Sequence, residues 1–328
     1  MSACSAPILQ VQDLRTHFFT RAGVVKAVDG VSFSVDRGEI VGLVGESGAG
    51  KSVTGFSLIG LIDPPGRIVG GSIRLDGQEL VGRPEAEMRR LRGARIAMVF
   101  QDPMMTLNPV LRIGTQMRLA LTAHERISGR AARERAAAAL ARVGIPDARA
   151  RLEAYPHQFS GGMRQRVVIA IALLHGTAVI VADEPTTALD VSIQAQILSE
   201  VRELARESGT ALVWISHDLS VVSSLANRLL VMYAGRIVEE GPVAAVLRDP
   251  RHPYTAGLLR SLPATAKPGT DLNQIPGSAP SLLDLPAGCP FRLRCDRATD
   301  ACRADPPMTL SGLRGYRCHH PIDAAAAA

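Results

Sequence analysis

The run Gly45-Glu46-Ser47-Gly48-Ala49-Gly50-Lys51-Ser52 fits the spacing G-x-x-x-x-G-K-[ST], whose chemistry is the cradling of a polyphosphate. Glycines there let backbone N–H groups turn inward around phosphate oxygens, where side chains would block the approach. Lys51 is suited to neutralise the β/γ-phosphate region and the Ser52 hydroxyl to ligate magnesium, while a helix starting near Lys51 adds its positive end. Only three of the 37 Lys and Arg residues are lysines (Lys26, Lys51 and Lys267), so the compact ammonium kept at this place is informative.

Val179-Ile180-Val181-Ala182-Asp183-Glu184 reads as a buried strand ending in two carboxylates. Asp183 suits magnesium binding, and Glu184 is placed to polarise an attacking water as general base. Gln101 and His217 each close an apolar run, Gln101 as a candidate magnesium and water ligand and His217 as a candidate γ-phosphate contact. Ser160-Gly161-Gly162 precedes a helical run, Met163 to Leu174, and two glycines before a helix start make a second anion site. A second phosphate site on one chain makes most sense if it serves a neighbour's ATP, which would then glue a head-to-tail dimer. Phe18 and Phe19 offer either an adenine-stacking surface or strand core.

The elements that must position these residues follow from the hydrophobic pattern. Ile8 to Leu14, Val24 to Val28 and Val31 to Val35 read as short strands punctuated by Gly23, Gly30 and Gly38. Ile40 to Val44 is a continuous apolar strand entering the glycine loop, and Lys51 to Leu61 has helical periodicity ending at Asp63-Pro64-Pro65-Gly66. Ile96 to Phe100, Val179 to Asp183, Ala211 to Ser216 and Leu229 to Tyr233 are further buried strands. Helices are expected from about residue 104 to 160, with an alanine- and arginine-rich face from Ala131 to Arg142. This alternation predicts an α/β fold with a helical insertion.

At 328 residues the chain has ample apolar content for a core. No secretory signal is expected at Met1 to Pro7, and the longest apolar run, Val167 to Val181, is interrupted by His175, Gly176 and Thr177. A membrane role would therefore run through a partner. The formal charge of +6 invites a nucleic-acid reading, but the basic residues are scattered, which argues against it. Nine of the 21 prolines lie from Pro263 onward, marking residues 263–328 as a loop-rich, irregular extension whose small core needs a staple. Four of the five cysteines fall there. Cys289, Cys295, Cys302 and Cys318 are separated by five, six and fifteen residues, and spacing alone leaves zinc, with His319 and His320 as further donors, an iron–sulfur cluster, or no metal open. Cys4 reads as an isolated small apolar residue, and Ala324 to Ala328 as a frayed end.

The order of motifs from Ile8 to Leu262 resembles the nucleotide-binding subunits of ABC transporters. The resemblance implies a P-loop ABC ATPase domain over residues 1–262, with an antiparallel β subdomain. It makes Phe18 the A-loop aromatic, Gly45 to Ser52 the Walker A motif and Gln101 the Q-loop. Ser160 to Gly162 become the signature, Asp183 and Glu184 the Walker B aspartate and catalytic glutamate, Asp190 (in Ala188-Leu189-Asp190) the D-loop and His217 the switch histidine. Pro156-His157-Gln158-Phe159-Ser160-Gly161-Gly162-Met163-Arg164-Gln165-Arg166 and His252-Pro253-Tyr254-Thr255-Ala256-Gly257-Leu258-Leu259, followed by Ser261-Leu262-Pro263, look like the D-type ATPase of oligopeptide and dipeptide importers. Phe159 and Met163 replace the leucine and glutamine common in the signature, a departure those importers share.

That family implies ATP and Mg2+ as ligands, a sister F-type ATPase and two permeases as partners, and a solute-binding protein acting through them. It places the chain peripherally on the cytoplasmic side of the inner membrane, without a nucleic-acid partner. It also shifts the four cysteines toward a 4Fe–4S cluster, with Zn2+ as the alternative. Dipeptides, longer peptides, nickel chelates and glutathione are all cargo for such importers. The rival reading, a soluble ABC ATPase acting on nucleic acid, expects two cassettes on one chain or long DNA-binding insertions.

Overall fold

The structure, a computed structural model, describes residues 6–187, 189–262 and 273–322. By packing they fall into two units, and each interleaves distant parts of the chain. Cys4, Ala188, Pro263, Lys267 and Ala324 to Ala328 lie outside the described residues.

The first unit is built from residues up to Leu9, Val35–Ile40 and Arg74–Ile215. Its centre is a parallel sheet in which Val179–Asp183 lies between Ile96–Val99 and Ala211–Ser216. These strands are continuous β-branched and aliphatic runs, as both faces are covered. Ala182 pairs with Val99 on one side and Trp214 on the other, so the carboxyl ends of all three strands finish along one edge. Outside the carboxyl ends is where ligands bind in open parallel sheets. The expected helical insertion is present as Pro103–Thr106, Ile113–Thr122, Gly129–Arg142 and Ala148–Arg151, with a single 3-10 turn at Pro156–Gln158. In Gly129–Arg142 the buried positions are Ala132, Ala136, Ala137 and Leu140, one helical stripe, while the arginines face outward.

The second unit comprises Gln10–Ser34, Val41–Ile73 and Ser216 onward. The strand Ile40–Val44 runs parallel to Arg228–Tyr233, which pairs antiparallel with Arg236–Pro242. Arg236–Pro242 then pairs with Arg314–Tyr316, and that with Thr309–Ser311. The C-terminal extension therefore contributes a hairpin to the sheet that carries the glycine loop, where the sequence suggested an irregular, separate appendix. Glu239 fastens this edge: its wholly buried carboxylate accepts N–H bonds from Arg251 and His252, both at 2.8 Å, and one from Arg314 at 3.1 Å. Burial raises its pKa, and those hydrogen bonds act against the rise.

Several elements differ from the pattern reading. Gly23–Val35 is one strand rather than two, because Gly30 takes φ +80° without breaking it. The helix after the glycine loop is Lys51–Leu58, ending short of Leu61 where Gly60 turns at φ +64°. Gly66–Leu75 and Arg236–Pro242 are strands that the apolar pattern did not mark, since both carry alternating or charged residues.

Candidate nucleotide site

The glycine loop leaves Val44 and enters the helix Lys51–Leu58, whose first residue is Lys51. Three of its glycines have positive φ, and their reasons differ. A Cβ on Gly45 would stand 2.2 Å from the Met232 carbonyl oxygen, and one on Gly50 2.1 Å from that of Ala27. At Gly48, with φ +77°, the space is open and only the left-handed backbone asks for glycine. The buried Lys51 ammonium bends back to donate to the carbonyls of Gly45 at 2.8 Å and Glu46 at 2.9 Å, holding the loop as a ring around its own cation. In the same unit His217 follows Ser216, exposed, with Asp218 capping the next helix through bonds from the N–H groups of Ser220 and Val221. Phe18 is half-buried beside Gly66, and Phe19 is exposed under the Arg67 guanidinium, 4.3 Å from its ring centroid.

Sequence reasoning missed what grips this loop from behind. Glu46 donates its N–H to the Tyr254 hydroxyl at 2.9 Å, and its carboxylate takes two bonds from the Arg294 guanidinium at 2.8 and 3.1 Å. Arg294 also donates from Nε to the Pro276 carbonyl at 2.9 Å and approaches the Tyr233 hydroxyl at 3.3 Å. Its side chain is only 7% exposed. Burial opposes its charge, but the bonds to Glu46 and Tyr233 outweigh that and raise its pKa. Tyr233, Tyr254 and Phe291 form the aromatic wall around it, with centroids 4.5 to 5.4 Å apart. Burial raises the pKa of both tyrosines, so their hydroxyls stay protonated.

In the first unit, Asp183 ends its strand buried, and Glu184 follows with φ +45°, its N–H donating to the Ile215 carbonyl at 2.9 Å. One Glu184 carboxylate oxygen accepts from the Thr187 hydroxyl at 3.1 Å. Gln101 is exposed two residues beyond Val99, at the same sheet edge. Ser160 is the N-cap of Gly161–Leu173, accepting the Met163 N–H at 3.3 Å. Asp190 caps Val191–Ser208 in the same way, accepting from Ile193 N–H at 3.0 Å and the Ser192 hydroxyl at 2.7 Å, which holds its carboxyl below the usual range. These two helix starts touch: a Cβ on Gly162 would fall 2.5 Å from Ile193 Cγ2.

The arrangement supplies a polyphosphate cradle with a lysine, and separately a sheet edge carrying paired carboxylates beside two capped helix starts. Residues 28–187 match the ABC transporter family model, and residues 238–302 match the C-terminal region of oligopeptide/dipeptide transporters. The chain is 47% identical over 320 residues to the dipeptide transport ATP-binding protein DppD of Escherichia coli, covering 97% of this chain and 98% of that one. It is 47% identical over 317 residues to the oligopeptide transport ATP-binding protein OppD of Salmonella typhimurium, covering 96% and 94%. Among solved structures it is similar to the dimeric ATP-binding cassette MJ0796 in a post-hydrolysis state with ADP and Pi. That likeness has a TM-score of 0.64 and 26% identity over 72% of this chain and 98% of that one. Fold, loop and likeness together define an ATPase of the ABC type. The chain belongs to the ABC transporter family, in its branch of oligopeptide and dipeptide transport ATP-binding proteins.

Cys289, Cys295, Cys302 and Cys318 are all free thiols. Among the described residues no group of three or more His, Cys, Asp or Glu forms a site that could hold a metal ion. The mixed zinc set with His319 and His320 is not assembled. His319 Nε2 instead lies 3.2 Å from the Ala304 carbonyl oxygen, and His320 Nε2 lies 2.6 Å from the Thr299 hydroxyl. The four thiols are nonetheless electrostatic neighbours. Burial pushes Cys318 up to about 11, and Cys289, Cys295 and Cys302 each add to that rise. The Cys289 N–H donates to the Cys302 carbonyl at 3.0 Å, fixing those two segments together.

Proposed function

We propose that this chain is the ATP-hydrolysing subunit of an importer for dipeptides or longer peptides. It would sit peripherally on the cytoplasmic face of the inner membrane, paired with a sister F-type ATPase on two permeases that a solute-binding protein feeds. The observation that carries this reading is near-full-length identity to two peptide-transport ATP-binding proteins, extending through the C-terminal region. No helix among the described residues is long and apolar enough to cross a membrane, in keeping with attachment through partners. Met105 and Val110, 86% and 75% exposed just past Gln101, offer apolar contacts to a permease.

In this reading residues 1–262 form the nucleotide domain and 263–328 an importer-type extension. Gly45 to Ser52 wrap the phosphates of ATP, with Phe18 against the adenine. Ser52, Gln101 and Asp183 are each candidate Mg2+ ligands, Glu184 is the general base for the attacking water, and His217 is a γ-phosphate contact. Ser160, Gly161, Gly162 and Asp190 serve the ATP of the opposing ATPase. Cys289, Cys295, Cys302 and Cys318 are the thiols that would hold a 4Fe–4S cluster. Burial raises the pKa of Cys289, Cys295 and Cys318, so uptake of a cluster would have to displace their thiol protons, and the cluster would supply a cross-link within the extension.

One preparation tests both parts. The chain is purified without oxygen together with its permeases and sister ATPase, then placed in vesicles with the solute-binding protein. ATP-dependent peptide uptake, with about four irons and four sulfides per chain, is expected. ATP hydrolysis without peptide uptake would overturn the cargo, and a single zinc would overturn the cluster.

A further inference from the structure

The pairing of Glu46 with Arg294 places a carboxylate inside a loop whose ligand is a polyanion. That is unfavourable unless the charge is cancelled. Arg294 cancels it with two parallel bonds at 2.8 and 3.1 Å, across a sequence separation of 248 residues. The pair is sheltered, with side-chain exposures of 7% for Arg294 and 27% for Glu46, so solvent screens it weakly. The Pro276 carbonyl and the Tyr233 hydroxyl fix the guanidinium, and the Tyr254 hydroxyl fixes the Glu46 backbone.

We propose that Arg294 is a positioning residue for the phosphate loop, through which the C-terminal extension sets the affinity for ATP by neutralising and orienting Glu46. This rests on the loop's being the ATP site, and not on the cargo or on any cluster in the extension. Arg294 touches no reacting atom, so its loss is expected to act on nucleotide binding rather than on the hydrolytic step.

The test uses the full chain in its complex, measuring KM for ATP and kcat together with the melting temperature. Arg294→Gln leaves the Glu46 charge bare and is expected to raise KM about tenfold, with kcat held within about twofold. Arg294→Lys, which keeps the charge without the planar fork, is expected to fall between. The decisive variant is Glu46→Gln/Arg294→Gln, in which both charges are gone: KM is expected to return to within about threefold of the parent. A merely structural role would leave the double variant as weak as the single one. An unchanged KM in Arg294→Gln, or no recovery in the double variant, would overturn the proposal. If Arg294→Gln melts early and cannot be assayed, Arg294→Lys with and without Glu46→Gln serves instead, and a raised KM in Arg294→Lys that Glu46→Gln does not bring back rejects the proposal. Failure of peptide uptake with this recovery intact would count against the cargo and leave the positioning role standing.

Discussion

Glu184 holds a backbone conformation that costs a residue with a side chain about 1–2 kcal/mol, and its N–H is committed to Ile215 in doing so. That backbone leaves the strand at the sheet edge where Gln101 also emerges, with the carboxylate accepting from the Thr187 hydroxyl. Glu184→Gln keeps that backbone and the side-chain shape, so ATP binding is expected to survive while turnover falls about 10²–10⁴-fold. Phosphate release at saturating ATP checks this, and parental turnover would remove Glu184 from its role. The two carboxylates and the glycine loop were legible because local spacing dictates their chemistry. Arg294 was not, since one arginine in an arginine-rich chain gives no local signal of a partner 248 positions away. Tyr254 was visible only as part of a family-like motif, while its hydroxyl bond to Glu46 required the fold.

Helix starts do much of the arranging. Ser160 and Asp190 cap two helices whose ends meet at Gly162 and Ile193, which ties the segment entering the first helix to the segment entering the second. Gly162→Ala puts a methyl 2.5 Å from Ile193 Cγ2 and is expected to destabilise by about 1–3 kcal/mol as the two helices part. Gly48→Ala meets nothing within 4 Å and should cost only its backbone strain, about 1–2 kcal/mol. Thermal melts should then respond to Ile193→Ala in the Gly162→Ala background, where the methyl gains room, and not in the Gly48→Ala background. At this scale the parallel core strands were plain from their apolar runs. Gly66–Leu75 and the hairpin Thr309–Ser311 with Arg314–Tyr316 were hidden, because these largely exposed strands carry glycine and polar residues and show no continuous apolar run.

Across the whole molecule, the segment beginning at His252 links the sheet edge to the glycine loop. His252 accepts the Tyr254 N–H at 3.0 Å and donates its own N–H to Glu239. It is completely buried, and burial lowers its pKa to about 3. The unfolded chain protonates this imidazole near its ordinary 6.5 while the folded chain does not, so stability present above that value is lost as pH falls toward 3. The expected cost is about 1.4 kcal/mol per pH unit within that window. Melting curves of the parent against His252→Gln should converge as pH drops from 7 to 5, and parallel curves would rule this out. The C-terminal extension was legible as a composition shift and a cysteine cluster; that its hairpin joins the sheet of the glycine loop was not, because pairing partners far apart in sequence leave no periodic trace. The grip on Glu46 also has a consequence for descent. A lineage that discards the tail strands a bare acid in the glycine loop, so position 46 is expected to turn neutral in the same lineages that lose Arg294, the two being inherited as one trait.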